Sequence, residues 1–260
     1  MKIEATTIAQ YDSLAVLEQQ AILERVQGMD DELSDVLRGL NVKGNGAGTL
    51  RASSIPYYMR CPHLGYLDLV CAPLQEHIPA KLRWIFDVGT AVHELVQEKY
   101  FPFLRDRGPE EWVVFENELA VWCEELLMSG HSDSMWVVED HTRTLKFGVE
   151  IKTINDNGFT QVKRSNKPKI EHRQQGLFYQ WMLDLPVMLY YYVNKNTQAR
   201  LSIAHPFDSN YWESEVKPVL VSIVEAARAG ESPGKKTGFH CRECKYNPLS
   251  CKPGKHTRKL

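Results

Sequence analysis

Asp133 and Glu150 stand seventeen residues apart, and Lys152 follows Glu150 by two. Two carboxylates and an ammonium are the ingredients of metal-assisted phosphodiester hydrolysis. The carboxylates are hard oxygen ligands for Mg²⁺ or Mn²⁺, and the ammonium can orient the attacking water or neutralise charge developing on the phosphate. Residues 135–138 and 146–152 read as two strands joined by a polar turn over 139–144, which makes a hairpin. Side chains alternate along a strand, so Glu150 and Lys152 share one face while Ile151 enters the opposite layer. A solvated hairpin with charged positions fits the same short pattern. What favours a site is the apolar setting of Lys152, beside Ile151 and Ile154, where an unpaired charge is costly and the two carboxylates supply the partner.

Other residues on flanking elements have types that suit such a site. Ile85, Val88, Val92, Leu95 and Val96 recur at helical spacing and predict a helix over 80–100 that carries His93 beside its apolar stripe. Gly89, one turn earlier, admits a close neighbour. An imidazole in an oxygen-rich site tilts affinity towards Mn²⁺ over Mg²⁺. A second helix is predicted over 171–182, with Phe178, Trp181 and Leu185 on its core side. His172, Gln175 and Tyr179, spaced three and four apart, line one face that would touch a phosphate or orient Lys152. Lys163, Arg164, Lys167 and Lys169 fall in a stretch punctuated by Gly, Asn and Pro that reads as a loop beside the site. Positive charge there would admit a polyanion to an acidic centre.

The chain holds six cysteines. Cys241, Cys244 and Cys251 lie close together near the C-terminus, and Cys61 lies far upstream. The start of the chain has no apolar secretory segment, so metal binding is a better reading than disulfides. Four thiolates suit a [4Fe-4S] cluster or a structural Zn²⁺, and the spacing does not choose between them. Joining residue 61 to the 241–251 segment would staple the tail to the core. Cys71 and Cys123 sit in apolar contexts and read as buried core.

In chain order, Gly89-x-x-x-His93, Gly130-x-x-Asp133, Glu150-Ile151-Lys152 and Gln175-x-x-x-Tyr179 resemble the motifs of the RecB-like branch of the PD-(D/E)XK nuclease superfamily, over about residues 50–255. The proline of the family pattern is absent, Ser132 preceding Asp133. The resemblance implies an α/β fold of restriction-endonuclease type, a mixed central sheet flanked by helices. It implies that the main-chain carbonyl of Ile151 joins His93, Asp133 and Glu150 as metal ligands. It also implies an iron-sulfur cluster on Cys61, Cys241, Cys244 and Cys251, as in the CRISPR adaptation nucleases and the AddB type.

With 260 residues and 43% hydrophobic composition, the chain can bury a full core. It contains no apolar run of about 18 residues, so no membrane span is expected. The net charge of −2 does not itself mark a nucleic-acid binder, which leaves the local basic tracts to carry that reading. Residues 1–45 read as a helical extension and Gly-rich linker, and 46–260 as the nuclease domain, with the cluster segment at 235–255. The expected activity is a cytoplasmic, divalent-metal-dependent DNA exonuclease working on single-stranded ends in recombination, repair or phage DNA processing. Gln175 and Tyr179 would hold the strand. A CRISPR-adaptation or flap endonuclease setting is an alternative, and a non-catalytic DNA-binding assembly subunit is an alternative of another class. Homo-oligomers and recombination or CRISPR partner proteins are the further associations this reading allows.

Overall fold

Segments whose apolar residues recur every second position alternate along this chain with segments where they recur every third or fourth. The computed structural model describes residues 43–45, 47–75, 80–107, 112–139, 144–247 and 250–251 and folds these segments into strands and helices. The chain divides into two units, Met1–Val42 with His77–Phe86 and Lys43–Glu76 with Asp87–Leu260. The described part of the first unit is 80–86, all helical. The helical extension expected over 1–40 otherwise lies outside the described residues.

Along the chain the elements are β1 (Lys43–Asn45), β2 (Leu50–Arg51), α1 (Ile55–Arg60), α2 (Pro62–Leu69), β3 (Pro73–Gln75) and α3 (Ala80–Leu95). A π-helical turn, Val96–Tyr100, then leads into α4 (Phe101–Arg107). Three long strands follow, β4 (Trp112–Cys123), β5 (Met128–Glu139) and β6 (Thr144–Ile154), then α5 (Asp156–Ser165) and α6 (Ile170–Leu183). Strands β7 (Val187–Asn194) and β8 (Arg200–Pro206) and helix α7 (Lys217–Ala229) close the order.

The central sheet is mixed, in the order β2-β5-β6-β7-β8, with β4 also paired to β5. Pairs β4–β5, β5–β6 and β7–β8 are antiparallel, and β2–β5 and β6–β7 are parallel. A parallel pair needs a crossover, and α5 with α6 supplies it. On one face Met188, Tyr190 and Tyr192 pack with Leu177 and Phe178 of α6 and with Trp212 and Leu220. On the other, Val149, Ile151 and Trp136 meet Val96 and Phe101. Tyr190 and Tyr192 are fully buried, and burial of side chains this size contributes about 2 kcal/mol each. At the α2–α7 crossing a Cβ on Gly65 would lie 2.9 Å from Ile223 Cδ1, so a side chain there would have to displace Ile223.

Several expectations are corrected. Residues 43–45 of the expected Gly-rich linker form β1, paired antiparallel with β3. The basic stretch after the hairpin is largely helical. Asn155 caps α5 by accepting from Gly158 N at 2.8 Å, and Phe159 and Val162 bury its inner side. Lys163 and Arg164 therefore occupy the last turn of α5, which Asn166 ends in the left-handed conformation at φ 49°. The apolar stripe of α3 is narrower than its spacing suggests, since Val88 and Leu95 are exposed. Cys71 is exposed in the turn after α2, whereas Cys123 is buried as expected. The chain is helical from Ser209 through Ala229, and Pro218 falls just after a π-helical turn, Trp212–Val216, where that helix departs from regular α geometry. Among the described residues no helix is long and apolar enough to cross a membrane.

Candidate active site

The ladder between β5 and β6 runs from Glu139–Thr144 to Ser134–Val149 and ends there. The next positions in that register are Asp133 and Glu150, so the two carboxylates face each other where the strands stop pairing. In place of a ladder bond, Ile151 N donates to Asp133 Oδ2 at 2.6 Å. The main chain of Ile151 is thus at the site, through its amide.

Glu150 is completely buried. Its Oε1 lies 2.5 Å from Lys152 Nζ, and its Oε2 has no hydrogen-bond partner. Burial first, and then the nearby Asp133 carboxylate, push the Glu150 carboxyl up to about 7, while Lys152 and His93 act the other way. Lys152 also donates to Gln175 Oε1 at 3.1 Å. Burial alone would lower the Lys152 pKa, but Glu150 and Asp133 hold it above its usual value, so the side chain stays an ammonium. Against the opposing effect of burial, Asp133 holds His93 above its usual value as well. The His93 Nδ1 to Asp133 Oδ1 distance is 3.6 Å, longer than a hydrogen bond. Gly89 meets nothing nearer than Thr153 Oγ1, 3.5 Å from where its Cβ would stand, so a methyl group would fit there and close approach does not explain the glycine.

The α6 residues do not form an open strand-binding face. Residues 174–180 of that helix are buried against the sheet, with Gln175 at 9% and Tyr179 at 2% exposure. Gln175 reaches Lys152. The Tyr179 hydroxyl takes hydrogen bonds from the Gln175 side chain and the His131 backbone, and burial and Glu150 raise its pKa. That hydroxyl fills the space beside Gly130, only 2.7 Å from where a Cβ would stand. His172 pairs through Nδ1 with the Tyr192 hydroxyl at 3.0 Å. Burial, with help from Lys152 and Lys169, pushes its pKa down to about 3. It is therefore neutral at physiological pH and offers no charge to a phosphate. Lys163, Arg164 and Lys167 are exposed, while the Lys169 ammonium folds over Gly158.

One residue at the site escapes sequence reasoning. His93, Glu118 and Asp133 each place a ligand atom within 4.8 Å of the other two, and they are the one such group among the described residues. Glu118 lies on β4 between the pairs Asn117–Ser134 and Leu119–Ser132, opposite Asp133. Buried Gln97, on the π-helical turn, donates from Nε2 to Glu118 Oε1 at 2.7 Å and to the Asp133 carbonyl at 2.6 Å. The signal available in the sequence is a polar run, 116–118, in the middle of an otherwise apolar strand.

The four cysteines singled out by spacing also converge. Cys61 caps α2 in extended backbone, followed by Pro62, and lines one cavity with Cys241, Cys244, Cys251 and His63. None is in a disulfide. Burial raises the Cys244 thiol, and Cys251, Cys241 and Cys61 are near enough to add to that. No three of their sulfurs meet the 4.8 Å spacing of the His93 group. Around a tetrahedral zinc ion, with Zn–S about 2.3 Å, sulfurs stand about 3.8 Å apart.

No protein-family model matches the chain, and a search of curated proteins gives no match. Among solved structures, the alkaline exonuclease LHK-Exo from Laribacter hongkongensis aligns over 77% of this chain and 93% of its own, with 14% identity and a TM-score of 0.48. The same enzyme in complex with dAMP aligns over 70% of this chain and 89% of its own, with 14% identity and a TM-score of 0.46.

Proposed function

We propose that this chain is a divalent-metal-dependent DNA nuclease that works as an exonuclease on single-stranded ends. The observation that carries the reading is Glu150. It is fully buried, faces Asp133 where the β5–β6 ladder ends, and has an oxygen with no protein partner. A buried carboxylate left this way costs several kcal/mol unless a cation completes its surroundings. The donor set fits Mg²⁺ or Mn²⁺, with Asp133 and Glu150 as the acidic ligands and His93 and the carbonyl of Ile151 assigned beside them. Such an ion would supply Lewis-acid polarisation of a phosphate oxygen.

The chain's own residues complete the chemistry. Lys152, kept protonated by Glu150 and Asp133, acts as a donor that orients the attacking water or neutralises charge on the phosphate, and not as a general base. Gln175 fixes the Lys152 ammonium from the far side. Tyr179 holds Gln175 and the β5 backbone in place beneath the site, which assigns it a positioning role. Lys163, Arg164 and Lys167 supply exposed positive charge for the incoming strand, with Lys169 behind them. The motif order supports the hydrolytic centre, and action on free strand ends in recombination, repair or phage DNA processing is the proposed setting. For the cysteine centre, the convergence of Cys61, Cys241, Cys244 and Cys251 on one cavity supports a stapling metal centre, which the motif resemblance assigns to a [4Fe-4S] cluster.

The identity of the activity is tested with end-labelled linear single-stranded DNA beside a circular control, in Mn²⁺. Loss of the linear strand with circles intact is expected. Cleavage of circles would keep the hydrolytic site and remove the exonuclease label. Because Glu150 and the His93 imidazolium must both give up a proton to bind a cation, Mn²⁺ affinity should rise with pH by more than about tenfold per unit below 7 and then level off. Calorimetric titration between pH 5.5 and 8.5 measures this, and a flat profile would contradict the role given to Glu150.

A further inference from the structure

We infer that Glu118 is a metal ligand that joins His93 and Asp133 in holding a cation, reaching Asp133 from the strand opposite to that of Glu150. The inference rests on the reading of Asp133 as a metal ligand and adds to it a residue on a different strand. Asp133 uses Oδ2 to accept from Ile151 N, on the β6 side. Its Oδ1 instead faces His93 at 3.6 Å. That is too long for a hydrogen bond, yet two ligands about 2.1 Å from one ion stand about 3.0–3.5 Å apart. Glu118 brings the third ligand atom within 4.8 Å of both.

The surrounding protein holds Glu118 in that position. The β4–β5 register sets it across from Asp133, and the β5–β6 register sets Glu150 across from Asp133 on the other side. Three carboxylates therefore lie in one row across the sheet, with Asp133 in the middle. Glu118 has φ 53°, the left-handed region, within a strand, where an ordinary residue costs about 1–2 kcal/mol. Gln97 binds one of its oxygens and the Asp133 carbonyl with a single amide group, which leaves the other Glu118 oxygen for a ligand. The π-helical turn that carries Gln97 is a feature frequently found at functional sites. An independent indication comes from Glu150, fully buried in the same row with an oxygen that has no partner. The row as a whole carries more negative charge than Lys152 neutralises. A mixed imidazole and carboxylate set favours Mn²⁺ or another transition ion over Mg²⁺.

The experiment is Mn²⁺ binding to the metal-free, full-length protein without DNA, read as free ion by electron paramagnetic resonance. Wild type is compared with Glu118→Gln, Glu118→Cys and Asp133→Asn. Glu118→Gln should weaken or remove one Mn²⁺ site by at least about tenfold without lowering the melting temperature of the metal-free protein. Glu118→Cys should lose Mn²⁺ affinity and gain Cd²⁺ affinity, a switch in metal preference that a structural role for Glu118 would not produce. Unchanged Mn²⁺ binding in Glu118→Gln together with weakened binding in Asp133→Asn overturns this inference and leaves the nuclease reading standing. Unchanged binding in Asp133→Asn overturns both.

Discussion

Replacing Lys152 with methionine should reduce cleavage by about 10²–10³-fold and weaken the fold in the same variant. The ammonium sits 2.5 Å from Glu150 Oε1 and donates to Gln175, with only 20% of its side chain exposed. Methionine keeps the length and the packing but removes the charge. Glu150, with no solvent access, then has to be buried uncompensated or take up a proton. Breaking a pair of this kind costs about 3 kcal/mol. The cost depends on pH in a stated direction. The Glu150 carboxyl is already raised to about 7 with Lys152 present, and without it the pKa rises further. Near pH 5.5 the carboxyl is protonated in folded protein of either sequence, so the variant loses little. At pH 8 the wild type is ionised and paired while the variant must stay protonated, so the loss grows as pH rises through the wild-type value. Urea unfolding at the two pH values, beside a cleavage assay, checks both parts. A variant equally stable at both and fully active would mean that Lys152 neither pairs with Glu150 nor acts on the phosphate.

The second large effect lies away from the Asp133–Glu150 site, at Asp68. This residue of α2 is 2% exposed. It accepts from Lys245 Nζ at 2.6 Å and the Tyr246 hydroxyl at 2.6 Å on Oδ1, and from the Tyr58 hydroxyl at 3.0 Å on Oδ2. Tyr58 and Tyr246 are fully buried, so Asp68→Ala leaves two hydroxyls without their acceptor and removes the counter-ion of Lys245. The expected loss is about 3–5 kcal/mol. Lys245 and Tyr246 follow Cys244 directly, so the same carboxylate holds the C-terminal cysteines against Cys61. Asp68→Ala should therefore also speed thiol alkylation at Cys244 and Cys251 under conditions where the protein remains folded. Asp68→Asn, which keeps an acceptor for one tyrosine, should lose less. Unaltered unfolding and alkylation in Asp68→Ala would show that the tail is held by other contacts.

The parts of this site that can be read in the sequence are those set by local rules. Period-two alternation put Glu150 and Lys152 on one face and Ile151 on the other, and the structure pairs the strands accordingly. His93 could be assigned to a helix face from its apolar neighbours alone. Glu118 was out of reach because its place depends on the register of β4 against β5 and on one left-handed residue, neither of which has a local signature. The helix at α5 was hidden by the Gly, Asn and Pro residues around it, although Asn155 is its cap and Phe159 and Val162 its buried side. The state of His172 is a tertiary property. Its spacing from Gln175 is correct for a shared face, yet burial and two lysines make it neutral. The cysteines could be grouped by type and spacing, while Asp68, which binds their segment to α2, gives no sign in the sequence beyond being one acidic residue among apolar ones.

The most direct test of the nuclease reading is the rate of phosphodiester cleavage by wild type and Asp133→Asn, each measured in Mn²⁺, in Mg²⁺ and in EDTA. Asparagine keeps the size of the side chain and can still accept from Ile151 N, so folding should be retained, as a melting curve will verify. The account predicts cleavage by wild type with either metal, none in EDTA, and a loss of at least about 10²-fold in Asp133→Asn with both metals. Cleavage that persists in EDTA, or that is unchanged in a folded Asp133→Asn protein, would contradict it.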